Sequence, residues 1–176
     1  MKKLIGLKKT KTAVFISGTG SNLKNLIKFS KKKKSPISVE LIISNTRNAK
    51  GLKYARKYNI QKKIVSYENN KLAEKKIFNF LLEKKIKFIC LAGFMKILSK
   101  NFIKKFKGKI INIHPSLLPK YKGLNTHKKA IENNDKFTGC SVHFVTTKLD
   151  SGKIILQKKV KIEKRDTIAS LAKKVL

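Results

Sequence analysis

Acidic residues, cysteine and tryptophan are scarce in this sequence. Its 176 residues include 9 Asp and Glu, 2 cysteines and no tryptophan, against 44 Lys and Arg. The two cysteines, Cys90 and Cys140, are too few for a disulfide framework and lack the C-x-x-C spacing of redox and zinc motifs. Both lie in apolar, strand-like segments, so we expect two buried, reduced thiols in a cytosolic protein.

Long apolar runs are also missing. Nowhere does the sequence hold the roughly 18 consecutive apolar residues that a membrane-spanning helix needs. Residues 1–9 carry several lysines, but their apolar part is much shorter than the core of a secretion signal. We therefore expect a soluble protein of the cytoplasm with no membrane partner.

The surplus of basic residues gives a formal net charge of +35 at pH 7. A charge of this size is typical of nucleic-acid-binding proteins. The lysines are nevertheless spread along the whole chain, apart from the run at 31–34, and no aromatic platform, RNA-binding signature or zinc spacing accompanies them. We interpret the charge as the residue usage of an AT-rich coding sequence and expect no nucleic-acid partner, although the charge would attract anionic substrates in any case.

Compact apolar runs alternate with segments of helical periodicity along the chain. Strands are predicted at 12–16, 38–43, 61–66, 88–92, 110–114, 140–145 and 153–160, and helices around 23–27, 50–58, 72–86, 99–106 and 127–131 and from about 167. This alternation predicts an α/β fold, a doubly wound, mostly parallel open sheet with helices on both faces and a hairpin-like addition. With 41% hydrophobic residues and no internal linker, we expect one domain over residues 1–176.

The loop after the first predicted strand combines two glycines with small polar residues. It reads Ser17-Gly18-Thr19-Gly20-Ser21-Asn22 and leads directly into a helix. Glycines allow a close backbone approach to a ligand, and the N–H groups that open a helix attract anions. A phosphate monoester would fit here, whereas the motif is neither a complete G-x-G-x-x-G nor a P-loop. A plain strand-to-helix turn explains the same residues.

The strand at 110–114 ends in two polar residues and a proline loop. Asn112 and His114 are two positions apart, so they lie on one face of the strand, and Pro115 and Pro119 end the pairing beyond it. An amide N–H and an imidazole that carries a proton could stabilise a developing oxyanion. A buried histidine that only satisfies a core hydrogen bond is the alternative interpretation.

Two further loops could lie at the same edge of the sheet. The apolar loop 93–98 follows a buried strand. It could form the wall of a pocket for a flat aromatic ligand, or it could be a packed connector. Asp150, followed closely by Gly152, could be a functional carboxylate or an ordinary turn aspartate.

Five motifs together resemble the phosphoribosylglycinamide formyltransferase family. They are I-S-G-T-G-S-N at 16–22, L-A-G-F-M-K-I-L-S at 91–99, N-I-H-P-S-L-L-P-K-Y-K-G at 112–123, G-C-S-V-H-F-V at 139–145 and L-D-S-G-K-I-I-L-Q at 149–157. The resemblance covers nearly the whole chain. The N-x-H-P-S-L-L-P motif with a downstream L-D-x-G is shared by several formyl-tetrahydrofolate enzymes, whereas the G-T-G-S-N loop selects the ribonucleotide branch. The family resemblance implies a Rossmann-type formyltransferase fold.

The resemblance also implies roles for particular residues. Asn112 would bind the formyl oxygen, His114 would donate a proton, and Asp150 would orient His114 and raise its pKa, with support from Ser141 and His143. The phosphate of the substrate would be held by Gly18, Thr19, Gly20, Ser21 and Asn22. The folate would be bound by Met95, Lys96, Ile97, Leu98, Asn112 and Asn70.

The implied activity is transfer of a formyl group from 10-formyl-tetrahydrofolate, as co-substrate, to the amine of 5-phosphoribosylglycinamide in purine biosynthesis. A tetrahedral intermediate would be stabilised by Asn112 and protonated His114, without a metal. Monomer and homodimer are both compatible with the resemblance. The alternatives are a methionyl-tRNA formyltransferase-like domain, a formyl-tetrahydrofolate hydrolase and a non-catalytic nucleic-acid-binding protein.

The chain departs from the family pattern in two places. It ends at Leu176, before the family's glutamate contact to the ribonucleotide, so we expect a domain truncated at its C-terminus. Asn70, with Lys71 beside it, lies near a position where the family has arginine, so recognition of the folate tail would differ.

Overall fold

The computed structural model describes residues 8–176 of the chain. The prediction that the opening segment is not a secretion signal falls almost wholly on residues 1–7 and lies outside the described residues. Two compact units are present, one of residues 8–98 with 106–109 and one of residues 99–105 with 110–176.

The first unit is built on four strands with parallel pairing. β1 (Thr10–Ile16) pairs with β2 (Ile37–Ser44) and β4 (Phe88–Leu91), and β2 pairs with β3 (Gln61–Ile64). Its helices are α1 (Ser21–Ser30), a 3₁₀ turn (Lys50–Leu52), α2 (Lys53–Lys57) and α3 (Asn70–Glu83).

The core of this unit follows from its uninterrupted apolar strands. Residues 13–16 of β1 and 41–43 of β2 are fully buried, as expected for parallel strands covered on both faces. From α1, Leu23 and Ile27 add to the core because four residues bring a side chain back to the same face of a helix. The predicted βαβ arrangement thus results from β-branched and aromatic strands joined by amphipathic helices.

The second unit contains three strands with antiparallel pairing. β6 (Phe137–Phe144) pairs with β5 (Lys109–His114), whose first residue belongs to the first unit, and with β7 (Ile154–Lys161). Its helices are α4 (Lys100–Lys105), α5 (Thr126–Glu132) and α6 (Ile168–Val175). The predicted hairpin-like addition is the β6–β7 pair.

Side-chain caps begin three of the helices. Ser99 Oγ accepts a hydrogen bond from the N–H of Phe102 at 3.0 Å, as its position in the sequence predicts. Asn69 caps α3 in the same way. Thr167 and Ser170 form a reciprocal capping box at α6, which lies where a helix is predicted.

Several local predictions are wrong in detail. Leu72, an apolar residue that opens the helix predicted at 72–86, is 56% exposed, because it lies in the first turn of α3 on the outer side of the helix. The helix predicted at 50–58 is divided into the 3₁₀ turn and the short α2. Cys140 is only partly buried, since its strand lies in an antiparallel pair, whereas Cys90 is buried as expected. Both thiols are free.

The α/β class with a mostly parallel sheet, predicted from the sequence, is confirmed. Within residues 8–176, no helix combines the length and the apolarity needed to cross a bilayer.

Gly20 occupies a position that only glycine tolerates. Its φ is +75°, and a Cβ atom there would lie 2.6 Å from the Cα atom of Gly51. We therefore expect Gly20→Ala to lower the free energy of unfolding by about 2 kcal/mol or more, from left-handed strain and a backbone clash. Urea denaturation measures the loss.

Gly18→Ala is the matched control in the same loop. A Cβ atom at Gly18 would meet nothing within 4 Å, and its φ lies outside the left-handed range. Its free energy of unfolding should stay within about 0.5 kcal/mol of the parent. Equal losses in the two variants would contradict the steric explanation.

Candidate active site

The β5–β6 pairing brings four polar side chains to one face of the second unit. Asn112 lies opposite His143, and His114 lies opposite Ser141. Residues directly opposite each other in an antiparallel pair share a face, and so do residues two apart on one strand. The register alone therefore collects Asn112, His114, Ser141 and His143.

Asp150 reaches this group from the segment between β6 and β7. Its Oδ2 lies 3.3 Å from His114 Nδ1 and accepts a hydrogen bond from the N–H of Gly123 at 2.9 Å. Its Oδ1 lies 3.5 Å from both His143 Nε2 and Asn112 Nδ2. The carboxylate is buried, and its φ of +43° belongs to the left-handed region that aspartate tolerates better than most residues. The structure thus brings all three predicted catalytic residues together.

Both nitrogen atoms of His114 face hydrogen-bond acceptors. Nε2 is 2.8 Å from the carbonyl oxygen of Tyr121, and Nδ1 faces the carboxylate of Asp150. A carbonyl and a carboxylate can only accept, so both contacts are satisfied at once only when both ring nitrogens carry hydrogen. The two contacts therefore fix the orientation of the His114 ring.

His143 has a different hydrogen-bonding pattern. Its Nδ1 lies 2.9 Å from the carbonyl oxygen of Phe144 and donates to it. Its Nε2 lies 3.3 Å from Asn112 Nδ2 and 3.5 Å from Asp150 Oδ1, so this nitrogen accepts from the amide when it lacks hydrogen and donates to the carboxylate when it carries one. The Nδ2 atom of Asn112 thereby lies close to both His143 Nε2 and the Oδ1 of Asp150.

The pKa of the Asp150 carboxyl group lies below its ordinary value. Burial alone would raise it, but hydrogen bonds from His143 and from the N–H of Gly123, together with the charges of both imidazoles, outweigh burial. Asp150 is therefore a carboxylate throughout the neutral range.

Ser141 is bonded to the proline loop rather than to the catalytic group. Its hydroxyl donates to the carbonyl of Ser116 at 2.6 Å and accepts from the N–H of Leu118 at 3.0 Å. The amide of Gln157 donates to Ser141 Oγ at 2.8 Å and to the carbonyl of Leu118 at 2.9 Å. These bonds fix the loop that follows His114 onto β6 and β7.

The predicted phosphate loop lies in the first unit. Helix α1 begins at Ser21, after Gly20, and no acidic residue lies in its first turn. The N–H of Gly51 donates to the carbonyl of Gly18 at 2.9 Å and holds the start of the loop. Gly18 and Thr19 are exposed, whereas Ser21 and Asn22 are partly buried. The loop therefore offers backbone N–H groups at the positive end of a ten-residue helix.

The predicted folate residues also belong to the first unit. In the loop 93–98, Met95 and Ile97 are 66% and 72% exposed and Lys96 is exposed, whereas Leu98 is buried. The ring of Phe94 packs edge-on against Phe15 and Tyr67, with centroid distances of 5.3 and 5.6 Å. Asn70 is exposed at the start of α3. The loop is thus anchored by Phe94 and Leu98 and presents its middle to solvent.

Comparison with known proteins identifies the family. The formyl transferase family model matches residues 10–176. The chain belongs to the formyl transferase family.

Among relatives, the phosphoribosylglycinamide formyltransferase of Haemophilus influenzae is 43% identical over 161 residues, which are 90% of this chain and 76% of that protein. The human trifunctional purine biosynthetic protein adenosine-3 is 43% identical over 171 residues, but the chain spans only 17% of its length. The crystal structure of phosphoribosylglycinamide formyltransferase from Anaplasma phagocytophilum has a TM-score of 0.90 at 39% identity, over 96% of this chain and 79% of that one. The resemblance noted in the sequence is confirmed.

Several contacts in this member of the formyl transferase family were not predicted. Tyr121 and Gly123 supply backbone groups to His114 and Asp150, and Gln157 holds Ser141. Tyr121 has a φ of +54°, an unusual conformation for an aromatic residue. Its place in a proline- and glycine-bounded motif was the one available signal, because backbone donors and acceptors leave no mark on residue type.

The described residues form none of the ligand sets that bind metal ions. Across residues 8–176 no cluster of three or more His, Cys, Asp or Glu is arranged to hold a metal ion. The absence of a metal from the reaction stays a prediction.

The lowered pKa of Asp150 predicts how stability depends on pH. A depressed pKa means that the ionised carboxylate stabilises the folded state above the unfolded value of about 3.9, and that this contribution is lost as pH falls through the folded pKa. Asp150→Asn should therefore lower the free energy of unfolding at pH 6, and the difference from the parent should shrink as the pH falls below about 4.

Urea denaturation from pH 6 to pH 3 provides the measurement. Asp166→Asn is the comparison for a carboxylate paired with a lysine, since Asp166 bonds to Lys174 and Ser170 and its pKa is lowered to about 2, so its pH dependence should have the same direction. A difference between Asp150→Asn and the parent that stays constant with pH would contradict the expected ionisation.

Proposed function

We propose that this chain transfers a formyl group from 10-formyl-tetrahydrofolate to the amine of 5-phosphoribosylglycinamide, a step of purine biosynthesis. The observation that carries the proposal is the contact of a buried carboxylate, Asp150, with His114 at 3.3 Å beside Asn112. Its support comes from the family and from relatives that are named phosphoribosylglycinamide formyltransferase.

The reaction needs a group that stabilises negative charge and supplies a proton. When the amine attacks the formyl carbon, the carbonyl oxygen becomes the oxyanion of a tetrahedral intermediate. A well-placed donor at such an oxygen accelerates acyl transfer by about 100- to 1,000-fold. His114 as imidazolium and the amide N–H of Asn112 are the donors that we assign to it.

The present contacts set a condition for this role. The Nε2–H of His114 donates to the carbonyl of Tyr121, and the N–H bonds of Asn112 face His143 and Asp150. Donation to a substrate oxygen therefore requires that one donor is shared with, or released from, its protein acceptor. A small displacement of the Tyr121 carbonyl would suffice, since it releases a single hydrogen bond worth about 1 to 3 kcal/mol, whereas a half-turn of the Asn112 amide would release two contacts and bring its oxygen to the carboxylate.

Proton balance assigns the remaining steps. A bond forms between the amine nitrogen and the formyl carbon, the bond from that carbon to N10 breaks, and the proton lost by the amine ends on N10. An imidazole is suited to carry this proton because its ordinary pKa is about 6.5. Asp150 would hold the ring in one orientation and compensate its positive charge.

The phosphate and the folate are assigned to the loops of the first unit. Gly18, Thr19, Gly20, Ser21 and Asn22 would bind the phosphate through backbone N–H groups and the helix dipole. Met95, Lys96, Ile97, Leu98 and Asn70 would contact the folate. Lys96 is exposed and supplies a positive charge for the glutamate tail, whereas Asn70 offers only an amide.

Other aspects of the protein stay predictions from the sequence. They are one domain over 1–176, a cytoplasmic location, a monomer or homodimer, and the support of catalysis by Ser141 and His143.

Incubation with 10-formyl-tetrahydrofolate and three different acceptors tests the proposal. We expect tetrahydrofolate to form rapidly with 5-phosphoribosylglycinamide, and only slowly with initiator methionyl-tRNA or with water alone. The change in absorbance on loss of the formyl group gives the rate. Faster turnover with the tRNA would favour a tRNA formyltransferase, and turnover without an acceptor would favour a hydrolase.

His114→Ala should lower kcat by about 100-fold or more, because the variant loses a positioned acid–base group. His127→Ala is the matched control, since His127 lies in α5 and contacts neither Asp150 nor Asn112 in the described structure. It should keep most of the parent activity. Steady-state kinetics provides both values, and near-normal turnover of His114→Ala would remove His114 from the mechanism.

A further inference from the structure

Ser17 is the first residue after β1, and its side chain bonds to two other loops. Its Oγ accepts a hydrogen bond from the N–H of Met95 at 2.8 Å and donates to Oδ1 of Asn45. Its own backbone N–H donates to the carbonyl of Gly93 at 2.9 Å. Asn45 lies directly after β2, and Gly93 and Met95 lie shortly after β4. One serine therefore joins the carboxyl ends of three strands of the first unit.

The chemistry of these groups fixes the direction of both side-chain bonds. A backbone N–H only donates and an amide carbonyl oxygen only accepts, whereas a hydroxyl can do both at once. The bond from Ser17 to Asn45 is partly buried, so water competes less effectively for it than for the exposed bond to Met95. An alanine at position 17 would leave the Met95 N–H and the Asn45 Oδ1 without this partner.

The loop 93–98 depends on this bond because its middle has little packing. Phe94 is held by ring contacts and Leu98 is buried, but Met95 and Ile97 extend into solvent. The hydrogen bond from Met95 N–H to Ser17 Oγ fixes the backbone between these two anchors. The position of the exposed residues is thus set by Ser17 rather than by their own side chains.

The same residue is covalently joined to the phosphate loop. Ser17 precedes Gly18, whose carbonyl is held by the N–H of Gly51 at 2.9 Å. A change in the backbone of Ser17 is therefore transmitted to residues 18–22 through one peptide bond, and loss of its hydroxyl releases residues 93–98 from one hydrogen bond.

We propose that Ser17, oriented by Asn45, is a positioning residue that holds the phosphate loop 18–22 and the loop 93–98 in one common geometry. The inference rests on the proposed function, which assigns the phosphate of the ribonucleotide to the first loop and the folate to the second. Its consequence is that one hydroxyl group affects the binding of both substrates, although neither substrate needs to contact it.

Ser17→Ala should weaken the binding of 5-phosphoribosylglycinamide and of tetrahydrofolate alike, each by about 3- to 10-fold, as expected for the loss of a hydrogen bond. Isothermal titration calorimetry gives both Kd values. Because the acid–base group is untouched, kcat should fall less than either affinity. Ser17→Thr keeps the hydroxyl and should recover most of both affinities.

The Asn45 partner allows a double-mutant test. Asn45→Ala should also weaken both ligands, and the double variant should be little worse than Ser17→Ala, because both changes remove one network. Ser66→Ala is the matched control in the same unit, since among residues 8–176 its hydroxyl accepts a hydrogen bond from the N–H of Glu68, which lies in the same turn. Its two Kd values should equal those of the parent.

Hydrogen exchange of the ligand-free protein provides a measurement that needs no substrate. The amide of Met95 should exchange faster in Ser17→Ala than in the parent and should be unchanged in Ser66→Ala. Unchanged exchange at Met95, or a loss of affinity for only one ligand, would overturn the inference while the parent stays active. A parent protein that binds neither ligand would overturn the proposed function first, and the inference with it.

Discussion

A buried carboxylate at Asp150 is the constraint on which the candidate site depends. An ionised carboxyl group loses its hydration on burial, and the loss is offset only when charged or polar partners replace the water. Here the N–H of Gly123, the imidazoles of His114 and His143 and the amide of Asn112 take that role. The residues that could carry out acid–base chemistry are therefore the same residues that allow this carboxylate to be buried.

This dependence makes the register of β5 and β6 critical. Asn112 faces His143, and His114 faces Ser141, only in the observed pairing. A shift of one residue would turn both side chains of β5 to the opposite face, away from Asp150. The bonds from Ser141 and Gln157 to the proline loop also stabilise this register, because they connect β6 and β7 to the segment directly after His114.

Much of the architecture could be predicted from the sequence because it depends on local patterns. The apolar runs of β1, β2 and β4 and the helical spacing in α1 specify strands and a helix without knowledge of their neighbours. Leu72 shows the limit, because one apolar residue in the first turn of a helix cannot reveal which side is covered.

The same limit applies to the contacts of the site. The types of Asn112, His114 and Asp150 suggested chemistry, and a motif resemblance joined them across the chain. Their unpredicted partners are mostly backbone groups, such as the carbonyl of Tyr121 and the N–H of Gly123, which every sequence contains. Ser17 lies in the I-S-G-T-G-S-N motif, but its bonds reach 28 and 78 residues along the chain, and no local pattern encodes such distances.

Asp150 pairs with histidines although lysine is far more abundant in the sequence. The chain has three aspartates, and the other two pair with lysines, Asp135 with Lys120 and Asp166 with Lys174. Asp150 instead contacts two of the three histidines, despite 44 lysines and arginines in the sequence. A lysine with a pKa near 10.4 would stay charged throughout neutral pH, whereas an imidazole can gain and lose a proton there. The fold therefore places beside this carboxylate the one type of side chain that can gain and lose a proton near neutral pH, rather than the abundant lysine.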